Sequence, residues 1–422
     1  MQFLYDILVN TAEKLLPVSG IFSDKMKLSI EGRKKTFSHL EEQISDTDRT
    51  IWFHTASLGE YEQAVPVIEA VKDRFPKHKI VVSFFSPSGY EVKKNSALAD
   101  VVVYLPIDTR KNAKKFLDLV HPEWALFVKY EFWPNFLREL SRQKIPTVLV
   151  SGAFRKDQSF FKSYGGWMRK SLNTFKHFFV QNEHSKELLN SIGFENVSVS
   201  GDTRFDRVSD QLSQNNALDF AEEFKNNELC VVAGSTWPED EALLVDYINS
   251  APEKVKFMIA PHTLKPEKIR SLREKLEVST VLFSEKEGKD LKDFRVMIVD
   301  TIGLLTRLYS YADIAYVGGA AGNTGLHNIL EPATFGVPVI IGKNFSKFPE
   351  AIKLQQLAGL FPVADKKELS AILGKLAKDE NFRKSTGMIC GHYVNSNTGA
   401  TRIIINYLAT ASAENGNRTK RS

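Results

Sequence analysis

Short apolar, β-rich runs alternate along this chain with longer stretches in which apolar positions recur every three to four residues. In the first half the runs are 51–54, 79–84, 101–105, 124–128, 147–150 and 178–181, separated by amphipathic segments such as 61–75 and 112–119. A second series covers 229–233, 256–260, 280–283, 296–299, 314–317 and 337–341. Alternation of this kind predicts parallel sheets with helices on both faces. Residues 211–216, Gln-Leu-Ser-Gln-Asn-Asn, are polar and mark a boundary between the two series. The predicted fold class is α/β, with two Rossmann-like, doubly wound domains facing across a cleft, and no repeat of solenoid period is visible.

A length of 422 residues suits two full cores, and 43% hydrophobic with 25% charged residues is the balance of a globular protein. The net charge of +5 suits an anionic surface or a phosphorylated substrate without requiring either. Two cysteines, Cys230 and Cys390, form neither a disulfide framework nor a zinc spacing, which points to a reducing compartment. Residues 1–22 carry Phe3, Leu4, Ile7, Leu8, Leu15, Leu16, Ile21 and Phe22, interrupted by Asp6, Glu13 and Lys14. The run is too short and too charged to span a bilayer and lacks the features of a signal peptide. Two readings remain: a helix lying in a membrane interface, followed by the basic cluster Lys25, Lys27, Arg33, Lys34 and Lys35, or a helix packed on the first domain.

Candidate chemistry centres on 316–342, an apolar run followed by Gly318, Gly319, Gly322 and Gly325, a helix-like segment with Glu331, and a second apolar run. Glycines there admit close approach of a ligand, and the helix that follows offers free N–H groups to an anion. Glu331, read as one or two turns into that helix, could accept hydrogen bonds from ribose hydroxyls, with His327 and Asn328 beside it. Other candidates follow strands. Glu60, in His-Thr-Ala-Ser-Leu-Gly-Glu, is either a general base or a first-turn glutamate facing the helix dipole. Glu131 sits among Tyr130, Phe132 and Trp133, where a carboxylate is costly unless paired or used. Gly234, Ser235 and Thr236 could hold a phosphate or merely cap a helix, and His262 follows the next strand. Arg155 and Arg204 could each receive a carboxylate or phosphate. No Walker A loop, HExxH, GxSxG, or GxGxxG after the first strand is present, and no strand-end Asp-x-Asp offers metal ligands. Basic residues do not interleave with aromatics as in nucleic-acid binders.

Taken in register, HTASLGE, KYEFWP, GDTRFD, GSTWPEDE and GGAAGNTGLHNILEPATFGVPVIIG resemble the lipopolysaccharide-core Kdo (3-deoxy-D-manno-octulosonic acid) transferases, inverting GT-B glycosyltransferases, from about residue 32 to about residue 407. The resemblance implies a CMP-Kdo donor, a lipid A precursor (lipid IVA) as acceptor, no metal or other cofactor, and attachment through the N-terminal segment to the cytoplasmic face of the inner membrane. It places the catalytic base on Glu60, a second essential acid on Glu131, and donor contacts on Asn328, Glu331 and the glycine loop. The corresponding expected organisation is a membrane-associated segment 1–35, an acceptor domain 36–208, a linker 209–226, a CMP-sugar domain 227–410 and a disordered tail 411–422. The nucleotide loop by itself would equally serve a UDP-sugar transferase or epimerase, and the basic face a non-catalytic lipid-phosphate-binding protein.

Overall fold

A computed structural model describes residues 1–19 and 24–419. The chain divides into two compact units, the first made of residues 1–207 together with 398–422 and the second of 208–397.

The first unit is built on seven strands: β1 (Arg49–Thr55), β2 (His78–Phe84), β3 (Val101–Tyr104), β4 (Pro122–Val128), β5 (Thr147–Gly152), β6 (Phe175–Val180) and β7 (Val197–Val199). They pair in the order β3-β2-β1-β4-β5-β6-β7, parallel throughout. Successive residues of a strand face opposite sides, so Trp52 joins one core with Ala125 and Phe127 while Ile51 and Phe53 join the other with Leu126 and Val128. Burial on both faces is why these strands read as near-continuous apolar runs.

In the second unit β8 (Leu229–Thr236), β9 (Val255–Pro261), β10 (Thr280–Leu282), β11 (Val296–Ile298), β12 (Ile314–Val317), β13 (Val339–Gly342) and β14 (Leu360–Val363) form a parallel sheet of order β10-β11-β9-β8-β12-β13-β14. Each sheet reverses its winding once, between β1 and β4 in the first and between β8 and β12 in the second. Ligands of such sheets bind beyond the carboxyl ends of the strands at this switch point.

Three features differ from the sequence expectation. The short edge strands β7 and β14 were not predicted. The expected linker 209–226 is folded, with a helix Asp219–Lys225 that buries Ala221 and Phe224. Residues 398–410, expected in the second domain, and 411–419, expected as a disordered tail, belong to the first unit. There the helix Ala400–Thr419 sends Ile404, Leu408 and Ala411 into the Ile51/Phe53 core. The Trp124 indole N–H donates to Ser412 Oγ at 3.0 Å, and Asp206 accepts from Gly399 N, Thr401 N and Thr401 Oγ1 at 2.5–2.7 Å.

The N-terminal helix α1 (Gln2–Ser19) docks through its polar side and leaves Phe3, Leu4, Ile7, Leu8 and Leu15 exposed. Tyr5 Oη donates to Asp108 at 2.6 Å, Asn135 donates to Asp6 at 3.0 Å, and Asn112 donates to Glu13 at 2.5 Å. Burial pushes the Asp108 carboxyl up to about 6, against the pull of its hydrogen bonds from Tyr5 and the backbone of Asn135 and Phe136. Among the described residues no helix is long and apolar enough to cross a membrane. Ile21, Phe22 and the Lys25 side chain lie outside the described residues. Arg33, expected in a surface basic cluster, instead points inward from α2 (Asp24–Gln43) and donates to the carbonyls of Phe85 and Leu105 at 2.6 and 3.0 Å.

Candidate functional site

The first unit gathers its candidates on the two sides of its switch point. Glu60 sits in the first turn of α3 (Leu58–Arg74), directly after β1, and is 7% exposed. Its Oε2 accepts from Ser57 N at 2.7 Å and from Ser57 Oγ at 3.0 Å, a capping arrangement that satisfies an N-terminal donor of the helix. The dipole-facing reading of Glu60 is therefore realised. It does not exhaust the carboxylate, because Oε1 has no protein partner among the described residues. Burial first, and the negative charge of Glu131 second, raise the Glu60 pKa, while the Ser57 hydrogen bonds and the Lys129 charge oppose the rise. A carboxylate with raised basicity and one unoccupied oxygen can take a proton.

Glu131 follows β4, across the switch point. The Trp133 indole N–H lies 3.1 Å from Glu131 Oε2 and 2.9 Å from His54 Nε2, and that nitrogen is 3.7 Å from the same carboxylate oxygen. Because His54 Nε2 accepts from Trp133, its proton belongs on Nδ1, which donates to Ser83 Oγ at 2.9 Å; Trp52 donates to the same hydroxyl at 2.8 Å. The Phe85 ring rests on Trp133 with centroids 4.5 Å apart, and the Arg33 guanidinium lies 4.5 Å from the Phe85 centroid. The Glu131 side is thus held by a chain of half-buried groups, Trp133, Phe85 and Arg33, anchored on buried His54, Ser83 and Trp52. His54 and Trp133 stand inside the quoted motifs, yet nothing in their spacing marks them as partners. Replacing Glu131 by Gln removes a negative charge that raises the Glu60 pKa. The acidic limb of the kcat/KM–pH profile is therefore expected to move to lower pH; an unmoved limb would separate the two carboxylates electrostatically.

Arg155 is exposed beside Tyr130, with its guanidinium 5.6 Å from the ring centroid and Asp157 3.6 Å from its Nε. Arg204 is drawn back onto Asp202, with Nε and Nη2 at 2.9 and 2.8 Å from Oδ2.

In the second unit Ser235 and Thr236 end β8, His262 follows β9, and the glycine loop follows β12. Gly234 serves packing, since a Cβ there would lie 2.1 Å from Tyr309 Oη. Ser235 has φ +53° at a break in the β8–β9 register, and its hydroxyl has no protein partner among the described residues. The Thr236 hydroxyl donates to Glu241 Oε1 at 3.2 Å. His262 stacks on Trp237 with centroids 4.5 Å apart and lies 4.7 Å from the His327 ring, whose Nε2 accepts from the Trp237 indole at 3.3 Å. Burial, and then the neighbouring His262, lower the His327 pKa.

The glycine loop already holds an anion, which is the chain's own. Asp240 is fully buried and accepts from Trp237 N, Tyr316 Oη, Gly319 N and Ala321 N at 2.9, 2.8, 2.8 and 3.3 Å. Those loop N–H groups are not open to a ligand phosphate, so the loop is preorganised from behind. Gly319 (φ +95°) and Gly325 (φ +100°) make the turn, and any Cβ on Gly319 would meet Gly325 O at 2.0 Å. Gly322 lies against Glu239, with 3.2 Å left between a Cβ and the Glu239 carboxyl carbon. The following helix is a single short turn, Leu330–Thr334, and Glu331 is its second residue. Pro332 has no N–H to donate to the carbonyl four residues before it, so the helix does not extend further towards its N-terminus, correcting the expectation of a position one or two turns in. Glu331 accepts from Thr306 Oγ1 and from Asn328 Nδ2, both at 3.2 Å. Ser235, Thr236, His262, His327, Asn328 and Glu331 thus cluster around the ends of β8, β9 and β12.

The family model described as 3-Deoxy-D-manno-octulosonic-acid transferase (kdotransferase) matches residues 31–207. A 3-deoxy-D-manno-octulosonic acid transferase of Rickettsia bellii is 28% identical over 346 residues, covering 79% of this chain and 81% of the relative. A bifunctional glycosyltransferase/methyltransferase of Fusobacterium nucleatum is 28% identical over 334 residues, 76% of this chain, which spans half of that protein's length. In fold, the chain is similar to a UDP-GlcNAc 2-epimerase from Neisseria meningitidis bound to UDP-GlcNAc, with a TM-score of 0.62 at 16% identity over 86% of this chain and all of the other. Two doubly wound domains of GT-B type, a match of residues 31–207 to the Kdo transferase family model and similarity along most of the chain agree: this protein is similar to the Kdo transferases.

Proposed function

We propose that this protein moves Kdo from CMP-Kdo to a lipid A precursor by a single inverting displacement, with Glu60 as general base. The observation that carries the reading is the Glu60 carboxylate, buried, raised in basicity and with Oε1 unoccupied at a switch point. In the reaction the acceptor hydroxyl gives its proton to Glu60 Oε1 as its oxygen bonds to the Kdo anomeric carbon. The bond from that carbon to the CMP phosphate oxygen breaks on the opposite face, and its electron pair leaves with CMP. One phosphate leaves, so hydrogen-bond donors and modest positive charge suffice to stabilise the leaving group. Ser235 and His262 are the side chains we assign to that phosphate, and Asn328 and Glu331 to the ribose.

Glu331→Ala is expected to weaken CMP binding about tenfold or more, the loss of a charge-assisted hydrogen bond, as read by calorimetry. Equal affinity would remove Glu331 from the ribose. The exposed apolar row of α1 supports attachment to the inner membrane's cytoplasmic surface, where the lipid acceptor is found. The test of the whole reading is CMP release from CMP-Kdo with and without the lipid A precursor, the lipid then being weighed by mass spectrometry. Acceptor-dependent release with a mass gain of Kdo supports it. Inactivity of folded protein, with UDP but not CMP raising the melting temperature, would turn the reading to a UDP-sugar.

A further inference from the structure

Lys129, the residue that follows β4, is held at φ +70°, a left-handed conformation that strains any residue with a Cβ and that glycine adopts freely. At the equivalent place after the core of neighbouring β5, Ser151 has φ +51°, but its hydroxyl is tied to Thr203 Oγ1 at 2.9 Å and accepts from Thr203 N. The Lys129 backbone N–H donates to Val150 O at 2.8 Å, but its side chain makes no bond of the Ser151 kind among the described residues. The residue is half-buried, and its ammonium makes no salt bridge among the described residues and lies 5.2 Å from the Tyr130 ring centroid. Arg155 lies 5.6 Å from the same centroid, and its one carboxylate neighbour in reach among the described residues, Asp157, is mostly exposed. Two cations drawn to one ring repel each other, and a strained backbone keeps one of them there. The Lys129 charge is also felt at Glu60, which sets this corner beside the proton acceptor.

We propose that Lys129 and Arg155 form an anion-binding subsite that holds an oxyanion of the substrate next to the reacting hydroxyl. The ligand chemistry is a phosphate monoester or a sugar carboxylate, for which the lysine supplies a point charge and the arginine a planar fork. Naming the two sources, a phosphate of the acceptor or the carboxylate of the donor sugar, rests on the Kdo transferase reading above.

The experiment uses the full chain with Lys129→Gly and Arg155→Gln, each titrated by NMR with glucosamine 1-phosphate and with free Kdo, beside steady-state kinetics. Glycine suits the backbone at 129, so Lys129→Gly is expected to melt no lower than wild type while binding the anionic probe about tenfold more weakly. Weaker glucosamine 1-phosphate binding with a raised acceptor KM identifies the phosphate. Weaker Kdo binding with a raised donor KM identifies the carboxylate. If neither probe loses affinity in either variant, or if only the pH profile of kcat shifts with both KM values intact, the subsite is overturned and Lys129 acts on Glu60 alone. Should wild type bind a probe through Lys129 yet transfer no Kdo, the transferase reading falls and the subsite stands.

Discussion

Glu60→Gln is expected to lower Kdo transfer by more than about 10²-fold, the usual scale for removing a general base, with CMP affinity unchanged. Glutamine is the informative replacement because its amide oxygen can still accept from Ser57 N and Ser57 Oγ, keeping the cap on α3. Glu60→Ala removes cap and base together and should combine the activity loss with about 1 kcal/mol of destabilisation. A purely structural Glu60 predicts the reverse ordering, with Gln near wild-type turnover and Ala impaired through folding. Turnover by the folded Gln variant within a few-fold of wild type would therefore end the general-base assignment. The readout is single-turnover CMP release at saturating donor, which separates chemistry from product departure.

The second large effect is on Asp240, whose replacement by alanine leaves four donors facing an empty, fully buried site. Each unsatisfied buried donor costs on the order of 1–3 kcal/mol, so a loss of about 3 kcal/mol or more is expected even after partial relaxation. Asparagine preserves volume but turns an N–H₂ toward two of the four donors, and should recover only part of the loss. Hydrogen exchange read by mass spectrometry ought to show protection falling across residues 316–328 in both variants while β1–β6 stay protected. CMP affinity should fall with it, since the loop that leads to Asn328 and Glu331 has lost its anchor. Undiminished protection in 316–328 would show that the loop is held by something other than this carboxylate.

Much of this was legible in the sequence, for a local reason. Strands buried on both faces produce apolar runs whatever surrounds them, so the interior strands of both sheets were predicted within a few residues. Edge strands β7 and β14 are short and partly exposed, and their pairing is decided by a neighbour rather than by their own residues. The positions of the candidate residues were legible where a local motif sets them: Glu60 stands in the first turn of the helix after β1 as expected, and Glu331 in the helix after the glycine loop, nearer its start than expected. They were not where partners are distant: Asp240 stands between Glu239 and Glu241 in one acidic helix start, and only the fold turns the middle one inward. Lys129 was missed because a positive φ leaves no mark on the residue that bears it.

The return of residues 398–419 to the first unit has a consequence during synthesis. The second unit is one uninterrupted segment and can complete its core as soon as it has been made. The first unit cannot: the groups that seal its Ile51/Phe53 side, Ile404, Leu408 and Ala411, are translated after the whole of the other unit. At 5–20 residues per second the intervening stretch takes roughly 10–40 s to elongate. For that interval the nascent chain carries an incompletely covered α/β layer, so the part translated first is finished last and depends longest on protection from aggregation.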